Sequence, residues 1–181
     1  MTEQEIRNEL LKLVKEKALK KGKFTLSSGK TSDYYLDGKQ VTLDPQGILL
    51  LAKVVLGMLH GVQADAVGGP TLGADPIAAA VSLLSSQTGK PLKAFIVRKE
   101  EKKHGTGKRI EGPALEKGDR VVAVEDVVTS GKSVLEAIRE IEKAGARVVK
   151  VICLVDREEG AAGLLAAYNF SPIFTKSEII S

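Results

Sequence analysis

Two spacings of apolar residues alternate along the chain, one suited to helices and one to buried strands. Ile6, Leu10, Leu13, Val14 and Leu19 share one side of a segment otherwise filled by Glu and Lys, which predicts an amphipathic helix over 3–20. Ile48, Leu51, Val55 and Leu59 predict a second over 47–60, with His60 a surface or cap residue behind it. A third helix is expected at 77–87, and Leu135, Ile138 and Ile141 mark the apolar face of a fourth over 134–144. Between the helices lie short runs that are apolar on both sides: one entering Gly68-Gly69, then 92–97, 121–124 and 147–155. Val-rich runs bracketed by helices are the pattern of strands in a parallel sheet covered on both faces. The strand–helix–strand unit from 121 to 155 should be parallel and right-handed. Gly145 stands where a helix ends, and Ser133 with Glu136 fits a capping box at its start. The expectation is an α/β domain over 1–181, with a mostly parallel central sheet flanked by helices.

Two stretches break the alternation. From Phe24 to Asp37 a polar turn leads into Tyr34-Tyr35, in a chain that is 4% aromatic. The pair either fills a minor core or faces a ligand. From Arg98 to Gly112 there is almost no apolar residue and there are three glycines, so the segment cannot fold by burying itself. By composition it is a solvated face; by position it follows a sheet strand.

Composition narrows the classes. At 43% apolar and 28% charged over 181 residues, the chain suits a soluble globular domain with a real core. No apolar run approaches a transmembrane span, and the N-terminus is charged rather than signal-like, so no membrane partner is expected. Cys153 is the single cysteine and lies in an apolar run, which points to a reducing, cytoplasmic setting. The net charge of +4 fits phosphate-rich small molecules; scattered lysines and the absence of Trp argue against a nucleic-acid partner.

The chemistry concentrates at 121–133. The apolar strand stops at Glu125-Asp126, and Val127-Val128-Thr129-Ser130-Gly131-Lys132-Ser133 carries the chain into the helix. In an open parallel sheet ligands bind at the carboxyl ends of strands. Backbone N–H groups leading into a helix N-terminus suit a phosphate monoester. One such anion is worth only about 0.3–1 kcal/mol from the helix dipole, so the hydroxyls of Thr129, Ser130 and Ser133 are needed as well. Adjacent carboxylates beside a phosphate site make sense against sugar hydroxyls or a cation, and a sugar phosphate offers both. A nucleotide-triphosphate P-loop is excluded, because it needs a glycine five residues before Gly131, where Asp126 stands.

Four hydrophobic residues, two acids and a Thr-Ser-Gly loop resemble the phosphoribosyl pyrophosphate motif of the type I phosphoribosyltransferases. Three more segments are similar to the orotate phosphoribosyltransferases within that family. Phe24-Thr25-Leu26-Ser27-Ser28-Gly29, followed by Ser32 and Tyr34-Tyr35, resembles their N-terminal hood, departing at Ser27 where some members carry lysine. Arg98, Lys99, Lys102 and His104 fit their mobile catalytic loop, Arg-Lys-x-x-Lys-x-His-Gly, expected over 98–112. Asp156-Arg157 matches their Asp-Arg pair. The loop at 68–73 corresponds to one that touches pyrophosphate; some members have lysine where Gly73 stands, so no side-chain cation is assigned there.

The resemblance implies the type I fold with a small hood from about 20–40 plus 165–181, the tail ending in an edge strand that completes the hood. It implies transfer of a phosphoribosyl group from phosphoribosyl pyrophosphate to orotate, a step in pyrimidine synthesis. Lys102, His104 and Asp126 take the catalytic roles. The sugar diphosphate falls to Arg98, Lys99, Lys102, His104, Glu125, Asp126, Val127, Val128, Thr129, Ser130, Gly131, Lys132 and Ser133, and orotate to Thr129, Arg157, Tyr34 and Tyr35. Mg2+ is expected to ride mainly on the substrate rather than on direct protein ligands. A homodimer with shared active sites is implied. The alternatives on the same fold are a purine phosphoribosyltransferase and a non-catalytic RNA-binding regulator.

Overall fold

The computed structural model describes residues 1–25, 31–100 and 109–181. The chain opens with α1 (Glu3–Leu13), one π turn (Val14–Ala18) and the antiparallel hairpin β1 (Leu19–Thr25) and β2 (Thr31–Leu36). Next come α2 (Lys39–Thr42), α3 (Pro45–Met58), β3 (Ala66–Pro70), α4 (Ala74–Ser85), β4 (Lys93–Val97) and β5 (Ile110–Glu111). The second half contains β6 (Arg120–Val128), α5 (Lys132–Lys143), β7 (Arg147–Asp156), α6 (Ala161–Leu164), β8 (Phe170–Thr175) and α7 (Lys176–Ile180). The main sheet runs β5-β4-β3-β6-β7-β8, all pairs parallel except β4–β5. The strand and helix order expected from the apolar spacing is therefore present.

Alternation along β6 explains why helices cover both faces. Val122 and Val124 join Leu10, Leu51, Val55, Ile77 and Val81 in one apolar cluster. Val121 and Ala123 face the other way, toward Ala137, Ile138 and Ile141 of α5. α5 ends as expected, with Gly145 in the left-handed region at φ +92°.

Four boundaries differ from expectation. The first helix does not reach residue 20: beyond Leu19 no apolar residue recurs before Phe24, and the chain turns into β1, where Leu19 pairs with Leu36. α4 starts at Ala74 rather than 77, because Pro76 is tolerated in a first helical turn. β6 runs through Glu125-Asp126 to Val128, its last residues paired with Val155 and Asp156 of β7. The tail strand is an edge strand of the main sheet, not of the hood: β8 lies parallel to β7 and buries Ile173 and Phe174. Burial against β7 gains apolar contact that a two-stranded hairpin cannot offer. α7 then locks onto the N-terminus, where Arg7 Nη2 donates to Ile173 O at 3.0 Å and to Glu178 Oε1 at 2.5 Å.

Candidate active site

At the carboxyl end of β6 the chain passes through Thr129-Ser130 to Gly131, which takes φ +81° as the N-cap of α5. No side chain caps this helix. The expected Ser133–Glu136 capping box is absent, since Gly131 lets the helix start two residues earlier; both side chains line the adjacent cavity instead. An uncapped N-terminus of a 12-residue helix leaves N–H groups free for an anion. The anion loop is thus 129–133. Val127 and Val128, expected to belong to it, are strand residues; Val128 packs inward at 2% exposure, while Val127 lines the cavity.

Glu125 and Asp126 end up buried inside the strand, at 8% and 7% exposure. Each braces a following backbone group: Glu125 Oε1 accepts from Asp126 N at 3.1 Å, and Asp126 Oδ1 from Val127 N at 2.7 Å. Burial, and then the neighbouring Asp126, push the Glu125 carboxyl well above the usual carboxylate range. Two glycines from separate loops press backbone against the pair. A Cβ on Gly73 would lie 1.8 Å from Glu125 Oε1 and 2.4 Å from Asp126 Oδ1, and one on Gly38 would lie 2.8 Å from Asp126 Cβ. Lys39 follows Gly38. Its Nζ sits 2.9 Å from Asp37 Oδ1 and 3.6 Å from Asp126 Oδ2.

These groups border a cavity of about 520 Å³, large enough for a substrate of metabolite size. The structure gathers the predicted Arg98, Lys99, Glu125, Asp126, Val127 and Ser133 around it. Arg98 turns its guanidinium toward Glu111, 3.2 Å away. Arg109 closes the base of the charged segment: Arg98 N donates to Arg109 O at 2.8 Å, and Arg109 Nε to Arg98 O at 2.8 Å. Lys102 and His104 lie outside the described residues.

A second polar cluster forms after β7. Arg157 N donates to Val128 O at 2.9 Å, which fixes this turn beside the anion loop. The Arg157 guanidinium lies over the Tyr34 ring at 5.6 Å, and Nη2 pairs with Glu159 Oε1 at 2.9 Å. Its Nε is buried with no partner among the described residues. Tyr34 and Tyr35 part company, because successive strand residues face opposite sides. Tyr34 joins Arg157, whereas Tyr35 is 42% exposed and tilts against Phe24 with ring centroids 5.7 Å apart.

Sequence reasoning missed Lys39 and Glu136 as cavity residues; Thr71 and Arg109 also line the cavity, inside the 68–73 and 98–112 segments already singled out. Asp37-Gly38-Lys39 follows the aromatic pair after Leu36, and the glycine was the available sign of a close backbone approach.

The phosphoribosyl transferase domain family matches residues 51–169. The orotate phosphoribosyltransferase of a Nostoc species is 47% identical over 172 residues, covering 94% of this chain and 83% of its own length. Two solved structures of the Mycobacterium tuberculosis orotate phosphoribosyltransferase superpose closely. One, in complex with Fe(III) dicitrate, has a TM-score of 0.85 at 36% identity, covering 96% of this chain and 98% of its own. The other, in complex with 5-phospho-alpha-D-ribosyl 1-diphosphate, has a TM-score of 0.81 at 33% identity, covering 97% and 99%.

Proposed function

The chain belongs to the phosphoribosyl transferase family and, within it, to the orotate phosphoribosyltransferases, and from that premise we propose that its cavity holds phosphoribosyl pyrophosphate and orotate side by side. The observation that carries this reading is the buried Glu125–Asp126 pair, ending five residues before Gly131, where a helix N-terminus has no side-chain cap. The 5′-phosphate takes the N–H groups and hydroxyls of 129–133. The acids receive the two ring hydroxyls, which replaces the solvation that burial removed.

In the reaction orotate N1 forms a bond to C1 of the ribose. The C1–O bond breaks, its electron pair leaves with pyrophosphate, and the N1 proton is released. Positive charge develops on the ribose ring and negative charge on the leaving group. The acid pair lies where the ring charge appears, and Arg98 and Lys99 border the same cavity, so both signs are met by opposite fixed charge. Lys102 and His104 join them on the leaving-group side; a His with a reference pKa of about 6.5 can donate there near neutral pH. Arg157, stacked on Tyr34, offers a planar fork to the carboxylate of orotate.

Among the described residues, no group of three or more His, Cys, Asp or Glu side chains is placed to hold a metal. Oxygen donors are nevertheless present: the acid pair, and Asp75 Oδ1, buried beside Thr71 with no partner among the described residues. That set fits Mg2+ brought by a diphosphate and completed by one or two carboxylates. The ion would ride mainly on the diphosphate and on the ring hydroxyls that Glu125 and Asp126 receive, and when bound it supplies charge neutralisation for the leaving group.

A homodimer is part of this reading. Leu43, Leu72 and Leu83 stand 67–70% exposed in the single chain, with Leu72 and Leu83 just before and on α4, and exposed leucines of this kind suit an interface. No helix among the described residues is long and apolar enough to cross a membrane; with Cys153 buried and free, we place the enzyme in the cytoplasm.

The test is the loss of orotate absorbance on adding phosphoribosyl pyrophosphate, with and without Mg2+. Turnover that needs both is expected. An enzyme that leaves orotate untouched overturns the reaction, and turnover unaffected by chelation overturns the metal.

A further inference from the structure

Three loops meet at Asp126, and they differ in what they bring. The Thr71–Gly73 loop brings the uncharged side chains of Thr71 and Leu72, and Gly73 leaves no room for a Cβ, so this wall carries no cation. The 129–133 loop brings N–H groups and hydroxyls. The segment after β2 brings an ammonium. Gly38 packs on Asp126 Cβ and Val127 Cγ2, and that close approach sets Lys39 at the mouth of the acid pair. Among the described residues, Lys39 is the cation within 4.0 Å of Asp126.

The surroundings of Lys39 keep it charged and leave it movable. The hydrogen bond to Asp37, first, holds the ammonium above its ordinary pKa; burial opposes this, and Asp126 adds to it. Asp37 is itself fixed, since Oδ1 accepts from Lys39 N at 3.2 Å and Oδ2 from Gln40 Nε2 at 3.2 Å. It therefore acts as a platform beside the backbone of α2. Against Asp126 the ammonium stands at 3.6 Å, looser than a hydrogen bond, with its side chain 45% exposed. Nothing in this arrangement commits Lys39 to Asp126.

We propose that Lys39 is a further substrate-contacting residue of the transfer reaction, whose ammonium rests between Asp37 and Asp126 in the free protein and pairs with the pyrophosphate of the bound sugar diphosphate. This rests on the reaction assigned above. Ring hydroxyls on Asp126 bring C1 and its diphosphate next to Oδ2, the oxygen that faces Lys39. The swing needed is one of side-chain torsions, while Gly38 and Asp37 hold the backbone still. Lys39 then supplies, from the hairpin side, the positive charge that the Thr71–Gly73 wall lacks. Its pairing strengthens as the C1–O bond breaks and charge accumulates on the leaving oxygen, so it contributes to the rate as well as to binding.

The test compares Lys39→Met, which keeps length and loses charge, with Lys39→Arg, which keeps charge. Lys39→Met should lower kcat/KM for the sugar diphosphate roughly 10- to 100-fold, as expected for one charged contact to a developing anion. The KM for orotate should stay within about twofold, and Lys39→Arg should recover most of the loss. Calorimetric binding of inorganic pyrophosphate with Mg2+, in the absence of orotate, should weaken about tenfold in Lys39→Met. Unchanged pyrophosphate binding together with unchanged kcat/KM overturns the proposal, as does an equal loss for both substrates that arginine does not rescue. Wild-type protein that never consumes orotate sinks the assigned reaction instead, and the pyrophosphate titration still decides Lys39.

Discussion

Arg157 and Glu125 show how far single residues could be read from the sequence. Asp-Arg at the end of an apolar strand announced a cation at the sheet edge, but its resting partner depends on the turn that follows, and that partner is Glu159 at 2.9 Å. The orotate carboxylate must compete with this carboxylate. Glu159→Gln should therefore lower the KM for orotate roughly two- to fivefold with kcat unchanged, the span expected for a partly exposed ion pair. Steady-state rates with orotate varied give the answer, and an unchanged KM would make the arginine structural. Lys39 was not legible at all, because its meaning arises only when the hairpin folds back and Gly38 touches Asp126. Glu125 was legible as a ligand-facing acid, but its burial was not. Because its folded pKa is raised, the native state holds a proton to higher pH than the unfolded chain does, whose pKa is about 4.3. Stability is then lost as pH rises from that value through the folded pKa. Glu125→Gln removes this loss, so the variant should melt higher than wild type at pH 8 and show a smaller gap between pH 5 and pH 8. A gap equal to that of wild type would mean that Glu125 ionises normally.

At the scale of elements, apolar period identified β3, β4, β6 and β7 of the main sheet but neither β5 nor β8, and missed where charged residues continue an element. Two carboxylates looked like the end of β6, yet the strand carries Glu125 and Asp126 within it: pairing with β3 stops at Ala123, but pairing with β7 holds through Val128. The consequence is a shorter anion loop, and Gly131 becomes its hinge point. A left-handed residue costs about 1–2 kcal/mol when it carries a Cβ, and here that Cβ would also lie 3.2 Å from Leu165. Gly131→Ala should lower stability by about that amount. It should weaken the sugar diphosphate more than orotate, because the first turn of α5 then moves off the phosphate. Denaturant unfolding and the two KM values test both halves; full stability with both KM values unchanged would say that the turn tolerates a side chain and holds no phosphate.

For the whole molecule, the domain class was written in alternating helix and strand periods, whereas the placement of the ends was not. Nothing in the local pattern of 170–175 distinguishes an edge strand on the hairpin from one on the main sheet; the choice follows from the depth of burial that β7 offers Phe174. Assembly lies one step further out. Leu43, Leu72 and Leu83 are exposed in the single chain, and Asp126 lines the cavity of its own chain. If Lys102 serves the neighbouring subunit's cavity, the two residues needed for one turnover come from different chains. Lys102→Ala and Asp126→Ala homodimers should each be nearly inactive. After subunit exchange, a mixed dimer carries one cavity with both defects and one with neither. Random exchange of equal amounts makes half the dimers mixed, and each retains one intact site of two. About a quarter of wild-type activity should then return, the outcome of sites completed across an interface. Measuring the rate against mixing time, with wild-type dimer at equal concentration as reference, gives that fraction. If both essential residues came from one chain, every mixed dimer would hold two defective sites, and the rate would stay at the level of the parents.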